Sequence, residues 1–168
     1  MVVGSGGAGK STFARALHDF TGLPLIHLDR EHWQPGWVEP PRDEWRRTVE
    51  GLARRDRWII DGNYGGTLEI RVARADTIVF FDFPRWLCLW GVVKRRVMRG
   101  ARPDMAEGCP ERLDLAFLRW VWGYRRSARP RVLKAIGNAP AATTIITLRS
   151  RRDVRSRLKD LRSVEPGA

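Results

Sequence analysis

Short apolar runs alternate with longer amphipathic stretches along the whole chain, without an internal repeat or a low-complexity block. The pattern predicts strands at 1–3, 25–28, 57–61, 77–83 and 143–148. Between them, helical patterning covers 10–20, 42–54, 68–73, 86–99, 113–124, 130–136 and 153–161. Gly22 and Pro24 end the first helix, since proline cannot continue one and glycine takes the left-handed closing turn. The run at 77–83, TIVFFDF, is nearly all apolar, as expected of a strand covered on both faces. Strands separated by helices predict an α/β fold with a parallel sheet between two helical layers.

Composition changes this picture little. At 168 residues the chain is expected to form one domain over 1–162, with a frayed, flexible tail at 163–168. With 43% hydrophobic and 30% charged residues it has an ordinary globular composition. No apolar run approaches the roughly 20 residues needed to span a bilayer, and no secretory leader is recognisable. Cys88 and Cys109 lack CxxC spacing and read as free thiols of a reducing, cytoplasmic compartment. A monomer or weak dimer with no membrane partner is expected.

Charge matters more. A net charge of +12 invites a nucleic-acid reading, because clustered arginine and lysine neutralise phosphates and release counterions. Arginine outnumbers lysine 27 to 4, however, and genomic composition can produce such a bias. A basic cleft attracts small polyanions such as ATP equally well. The charge points to phosphate in some form without choosing the partner.

The glycines near the start do choose. Gly4, Gly9, Lys10 and Ser11 in VVGSGGAGKST fit G-x-x-x-x-G-K-[ST], the phosphate-binding loop. Gly6, Gly7 and Ala8 let successive backbone N–H groups turn inward around a phosphate. Lys10 places its ammonium on the β- and γ-phosphates, and the Ser11 hydroxyl is a candidate Mg²⁺ ligand. The helix starting at Lys10, with Ser11 and Thr12 in its first turn, aims unpaired N–H groups and its positive dipole end at the same anion. A predicted strand before the loop and a helix after it supply the required context. Only Met1, Val2 and Val3 precede Gly4, against about five residues for a usual strand. Either that strand is very short or the true start lies upstream.

A guanine-specific switch protein would carry an N-K-x-D segment, and none is present. Kinases and ATPases with a phosphate loop remain. A kinase gathers acidic residues at the carboxyl ends of strands beside the loop. Asp29 closes IHLD and Asp61 closes WIID. Asp61 is the candidate to hold Mg²⁺, and Asp29 to orient and deprotonate an acceptor hydroxyl. Simpler roles compete, a cap for Asp29 and a turn with Gly62 for Asp61.

The stretches GSGGAGKST, IHLDREHWQPGW, DGNYGGTLEIRVARADTIVFFDFPRWLCLW and RPDMAEGCPERLDLAFLRWVW resemble adenylate-kinase-related bacterial proteins of the DNA topology modulation group. The resemblance covers nearly the whole chain. It implies a three-layer P-loop NTPase fold, like a nucleoside-monophosphate kinase, with five parallel strands in the order 2-3-1-4-5. It also implies an acceptor-binding insertion at about 30–56 and a mobile helical lid at about 95–125.

Such kinases surround the transferring phosphoryl group with guanidinium groups. Arg95 and Arg99, four apart on one helix face, are the lid candidates, with Arg96 and Arg102 nearby. The Gly- and Pro-containing segment around them suits a cover that excludes water. In the insertion, Trp33 and Trp37 either stack on an acceptor ring or pack a small subdomain. His27, Asp29 and His32 lack a fourth partner for a metal site of their own. Adenylate kinases continue the third strand into D-G-F-P-R, whose arginine grips the acceptor phosphate. Here the stretch is Asp61-Gly62-Asn63-Tyr64-Gly65-Gly66, without arginine. Either Arg42 or Arg71 substitutes, or the acceptor has no phosphate and is read by Asn63 and Tyr64. Arg149 to Asp153 follow the fifth strand where related kinases pack adenine, and Arg152 is the candidate to stack on the base.

The sequence thus predicts a Mg-ATP-dependent phosphotransferase acting on a nucleoside, nucleotide or other hydroxyl acceptor. A nucleotide-dependent nucleic-acid-binding protein is the alternative. Scattered arginines and the lack of a recognisable DNA-reading module weigh against it.

Overall fold

Val2 and Val3 are neighbours in a strand of three residues and face opposite layers of the core, because successive strand residues point to opposite sides of a sheet. The computed structural model describes residues 1–97, 104–106, 108–109 and 115–163. Among these, five strands form one sheet: β1 (Val2–Gly4), β2 (Leu25–His27), β3 (Ile59–Asp61), β4 (Thr77–Phe81) and β5 (Thr144–Leu148). All pair in parallel in the order β2-β3-β1-β4-β5. Val2 is in register with Asp61 on one side and Val79 on the other.

Helices cover both faces. On one, α1 (Lys10–Thr21), α5 (Arg85–Val97), α6 (Leu115–Ser127) and α8 (Arg151–Ser163) pack on Val2, Ile59, Val79 and Phe81 through Phe13, Cys88, Val92, Val121 and Val154. On the other, α4 (Leu68–Val72) and α7 (Arg129–Gly137) cover Val3, Ile78 and Phe80. There α3 (Arg42–Ala53) covers Ile26 and Ile60 through Trp45, Val49 and Leu52. The short α2 (Leu28–His32) follows β2 directly. The α/β sheet and its strand order are as expected. All three residues of the central strand are buried; all three pair with β4, and Val2 also pairs with β3.

Several boundaries differ. Leu28, expected to end a strand, is the first residue of α2, since an isolated apolar residue serves either element. The third strand starts at Ile59 rather than at position 57. Trp58 instead donates its indole N–H to the Ala53 carbonyl at 3.3 Å, tying the end of α3 to the strand. β4 ends at Phe81, and Asp82 adds one last bond to Leu148. α8 begins two residues before the expected position 153. Asp153 accepts from the Arg149 and Ser150 backbone N–H groups while the Asp153 N–H donates to Ser150 Oγ, a reciprocal cap.

Within the segment expected as a lid, α6 is anchored: Val121 is fully buried and Phe117 packs on the same core. Gly36 donates to the Gly108 carbonyl at 3.1 Å, and the Cys109 thiol to the Gln34 carbonyl at 3.2 Å. The segment therefore reaches the insertion after β2. The tail expected from 163 is helical at Ser163, and 164–168 lie outside the described residues.

Candidate active site

The phosphate-loop motif leaves the carboxyl end of the central strand and runs directly into α1. Gly7 has φ +74°, and a Cβ there would strike the Cys88 carbonyl on α5. The loop is thus seated on α5, and only glycine fits. Gly6 lies against Phe117 and Val121 of α6. Ala8 is buried, and Gly9 caps α1 in the left-handed conformation with no side-chain cap bond. No acidic residue stands in the first turn of α1. Its leading N–H groups, those of Ser11 and Thr12 among them, therefore face the loop with their dipole uncompensated by a carboxylate. Lys10 donates to the Ser5 carbonyl at 2.9 Å, which folds its ammonium back over the loop.

Asp61 ends β3, beside β1. Its Oδ2 meets His27 Nδ1 at 3.0 Å, and the two residues are register partners across β2 and β3. The carboxylate is 4% exposed, and its Oδ1 is buried without a hydrogen-bond partner. A buried carboxylate oxygen is costly to leave unpaired. Its position at the end of the strand adjoining the phosphate loop makes it, with the Ser11 hydroxyl, a candidate to hold Mg²⁺ or its water shell. Among the described residues no group of three His, Cys, Asp or Glu side chains forms a separate metal site.

Asp29 is not the last residue of a strand, as expected, but the second residue of α2. There it accepts the Tyr64 hydroxyl at 2.8 Å. Burial, then the charge of Asp29, raises the Tyr64 pKa, so the phenol remains a donor. Behind this pair His32 is edge-packed among Trp33, Trp45 and Tyr64, with ring centroids 5.0, 4.6 and 4.6 Å away. Burial lowers the His32 pKa and keeps the ring neutral. Trp33 packs on Trp37 at 5.3 Å.

Other candidates stand elsewhere. Arg71, expected as a clamp on an acceptor phosphate, is 0% exposed. Its guanidinium donates to the carbonyls of Gly62 and Asn63, both at 2.8 Å, and of Tyr64 at 3.2 Å. It is a structural prop of the loop after β3. Arg42 is exposed in the first turn of α3, and Arg152 is exposed in the first turn of α8. Arg95 lies in the last turn of α5. Arg99 and Arg102 lie outside the described residues.

Two arrangements escaped the sequence reading. One is the His27–Asp61 contact, which only strand register reveals. The other is Asp82, just past β4, gripped at both oxygens by Arg129 at 2.7 Å. The Arg129 hydrogen bonds hold the Asp82 carboxyl below the usual range, and the same bonds raise the Arg129 pKa. An aspartate at a strand end was the available signal, as it was for Asp61.

No protein-family model and no curated protein matches the chain. Among solved structures it is similar to a "putative kinase" from Chloroflexus aurantiacus, with 16% identity, a TM-score of 0.50 and 96% of each chain covered. That likeness, with the strand order, places the chain in the P-loop kinase-like fold. It does not reach the DNA topology modulation group that the sequence resembles.

Proposed function

We propose that the protein transfers the γ-phosphoryl group of Mg-ATP to a small hydroxyl-bearing acceptor. The observation that carries this reading is the orphaned Oδ1 of Asp61 on the strand beside the phosphate loop. In that arrangement the loop N–H groups and Lys10 hold the β- and γ-phosphates, and Ser11 with Asp61 would hold Mg²⁺. The metal neutralises charge on the phosphates when bound. Asp29, fixed by Tyr64, accepts the proton of the acceptor hydroxyl. Arg95 and Arg99 are the lid groups proposed to meet the charge spreading over the transferring phosphoryl group. Arg152 is retained as a proposed contact for the adenine.

Coupled ATP consumption with Mg²⁺, screened across nucleosides, nucleoside monophosphates and small polyols, tests the reading. Turnover that depends on one acceptor class and disappears in Lys10→Ala supports it. ATP consumption indifferent to every acceptor counts against it.

A nucleic-acid reading has one observation in its favour. Trp86 and Trp122 are 63% and 51% exposed, and Arg85 stacks on Trp122 at 4.1 Å. With Pro84, Arg125 and Arg126 they line a groove of about 450 Å³. Tryptophan and arginine together suit single-stranded nucleic acid. Hydrolysis stimulated by nucleic acid alone, and weakened by salt, would favour this reading over the kinase.

A further inference from the structure

The loop after β3 is held in a strained conformation. Tyr64 has φ +28°, a value that side-chain-bearing residues rarely adopt and that surrounding structure must enforce. Arg71 enforces it from below through the three carbonyls of Gly62, Asn63 and Tyr64. A guanidinium so engaged, with no exposed surface, is not available to an acceptor phosphate. What the loop and α2 gather instead is carboxylate, amide and aromatic ring. Asp29 and Asp61 supply the carboxyl groups, and His32 is 8% exposed, with burial lowering its pKa.

Beside Asp61 Oδ1 and Arg71 Nε, the buried polar atoms without a hydrogen-bond partner around this loop and α2 include His32 Nδ1, Trp37 Nε1 and Asn63 Oδ1. Buried polar atoms are seldom left unpaired. Those of His32, Trp37 and Asn63 belong to neutral side chains, of the kind that read hydroxyls and ring heteroatoms. Trp33 and Trp37 are only partly buried and present ring surface beside them.

On the reading that the protein is a kinase, we propose that its acceptor is a phosphate-free, ring-bearing alcohol, taken up between Asp29, Asn63 and the Trp33–Trp37 pair. Nucleosides and monosaccharides share this chemistry. The O–H bond of the acceptor breaks as its oxygen bonds to the γ-phosphorus. The proton passes to Asp29 and ADP leaves.

The test is calorimetric titration of the whole chain, first with Mg²⁺ and a non-hydrolysable ATP analogue. Matched pairs follow: nucleosides against their 5′-monophosphates, and monosaccharides against their 6-phosphates. The expected result is binding of one phosphate-free member about tenfold or more tighter than its phosphorylated partner. The nucleoside and sugar arms show which source is used. Tighter binding of a phosphorylated member overturns the inference, as does failure of every pair to bind a protein that has bound the analogue. Failure to bind the analogue overturns the kinase reading itself. Arg71→Lys separates prop from clamp: a prop variant melts earlier and loses both members of a pair alike, whereas a clamp variant loses only the phosphorylated one. If it does not fold, the comparison in the unaltered protein still decides.

Discussion

His27 and Asp61 face each other across β2 and β3, with Nδ1 and Oδ2 3.0 Å apart. The contact fixes the rotation of the carboxylate and leaves Oδ1 as the atom with no partner. Groups that orient a metal-binding carboxylate typically carry a 10- to 100-fold effect on metal affinity or activity. His27→Gln is therefore expected to raise the Mg²⁺ concentration for half-maximal turnover by about tenfold with little change in the fold. Asp61→Asn should remove turnover outright. A Mg²⁺ titration of the three proteins checks this, and an unchanged midpoint in His27→Gln would detach the histidine from the metal.

Gly91 offers a test in which two effects oppose each other. It lies inside α5, where alanine would ordinarily stabilise by about 1 kcal/mol. A Cβ at this position would, however, strike the Gly7 carbonyl of the phosphate loop. The obstacle is backbone rather than the end of a flexible side chain, and overpacking of that kind costs about 1–3 kcal/mol. The clash should win. Gly91→Ala is expected to melt earlier and to bind ATP more weakly, both read in one thermal-shift titration. A stabilised variant with full affinity would show that α5 and the loop are not seated on each other.

Asp82 and Arg129 define a pH dependence. Arg129 holds the Asp82 carboxyl below its ordinary value, so folding favours the charged form. The stabilisation is fully present above about pH 4, the value in an unfolded chain, and is lost as pH falls through the lower folded value. With the side chains 8% and 27% exposed, breaking the pair is expected to cost about 2 kcal/mol, below the range for a fully buried one. Asp82→Asn should melt earlier at neutral pH and should lose less stability than the parent on acidification. Parallel melting curves of parent and variant below pH 4 would contradict this.

The same residues show what a sequence yields. The phosphate loop was legible because its eight positions are contiguous and its glycines have a backbone reason to be there. The fold class followed from the alternation of strands and helices, and the strand order from the family resemblance. The His27–Asp61 contact depends on which strands become neighbours and in what register, which no local pattern encodes. Arg71 is the instructive residue. Leu68, Arg71 and Val72 are spaced i, i+3, i+4 on α4 and all are buried, so the helical pattern already put this arginine on the core face. Asp82 lies inside the apolar run TIVFFDF, where no local signal marks that β4 ends at Phe81.

Asp29 and Tyr64 supply the last expectation. The Tyr64 hydroxyl binds one oxygen of the carboxylate, fixing the direction from which Asp29 meets an acceptor. Removing a general base typically costs 10²- to 10⁴-fold in rate, so Asp29→Asn is expected to lose about that much turnover while still binding Mg-ATP. Tyr64→Phe keeps the base and the ring packing on His32 and Trp45 and removes only the orienting bond. A single hydrogen bond to a charged group is worth about 1.5–3 kcal/mol, which sets a loss of about tenfold to a hundredfold in kcat/KM. The ratio of the two effects is the informative quantity. Equal losses would make Tyr64 part of the proton transfer itself, and a loss in Asp29→Asn no greater than tenfold would require a different base.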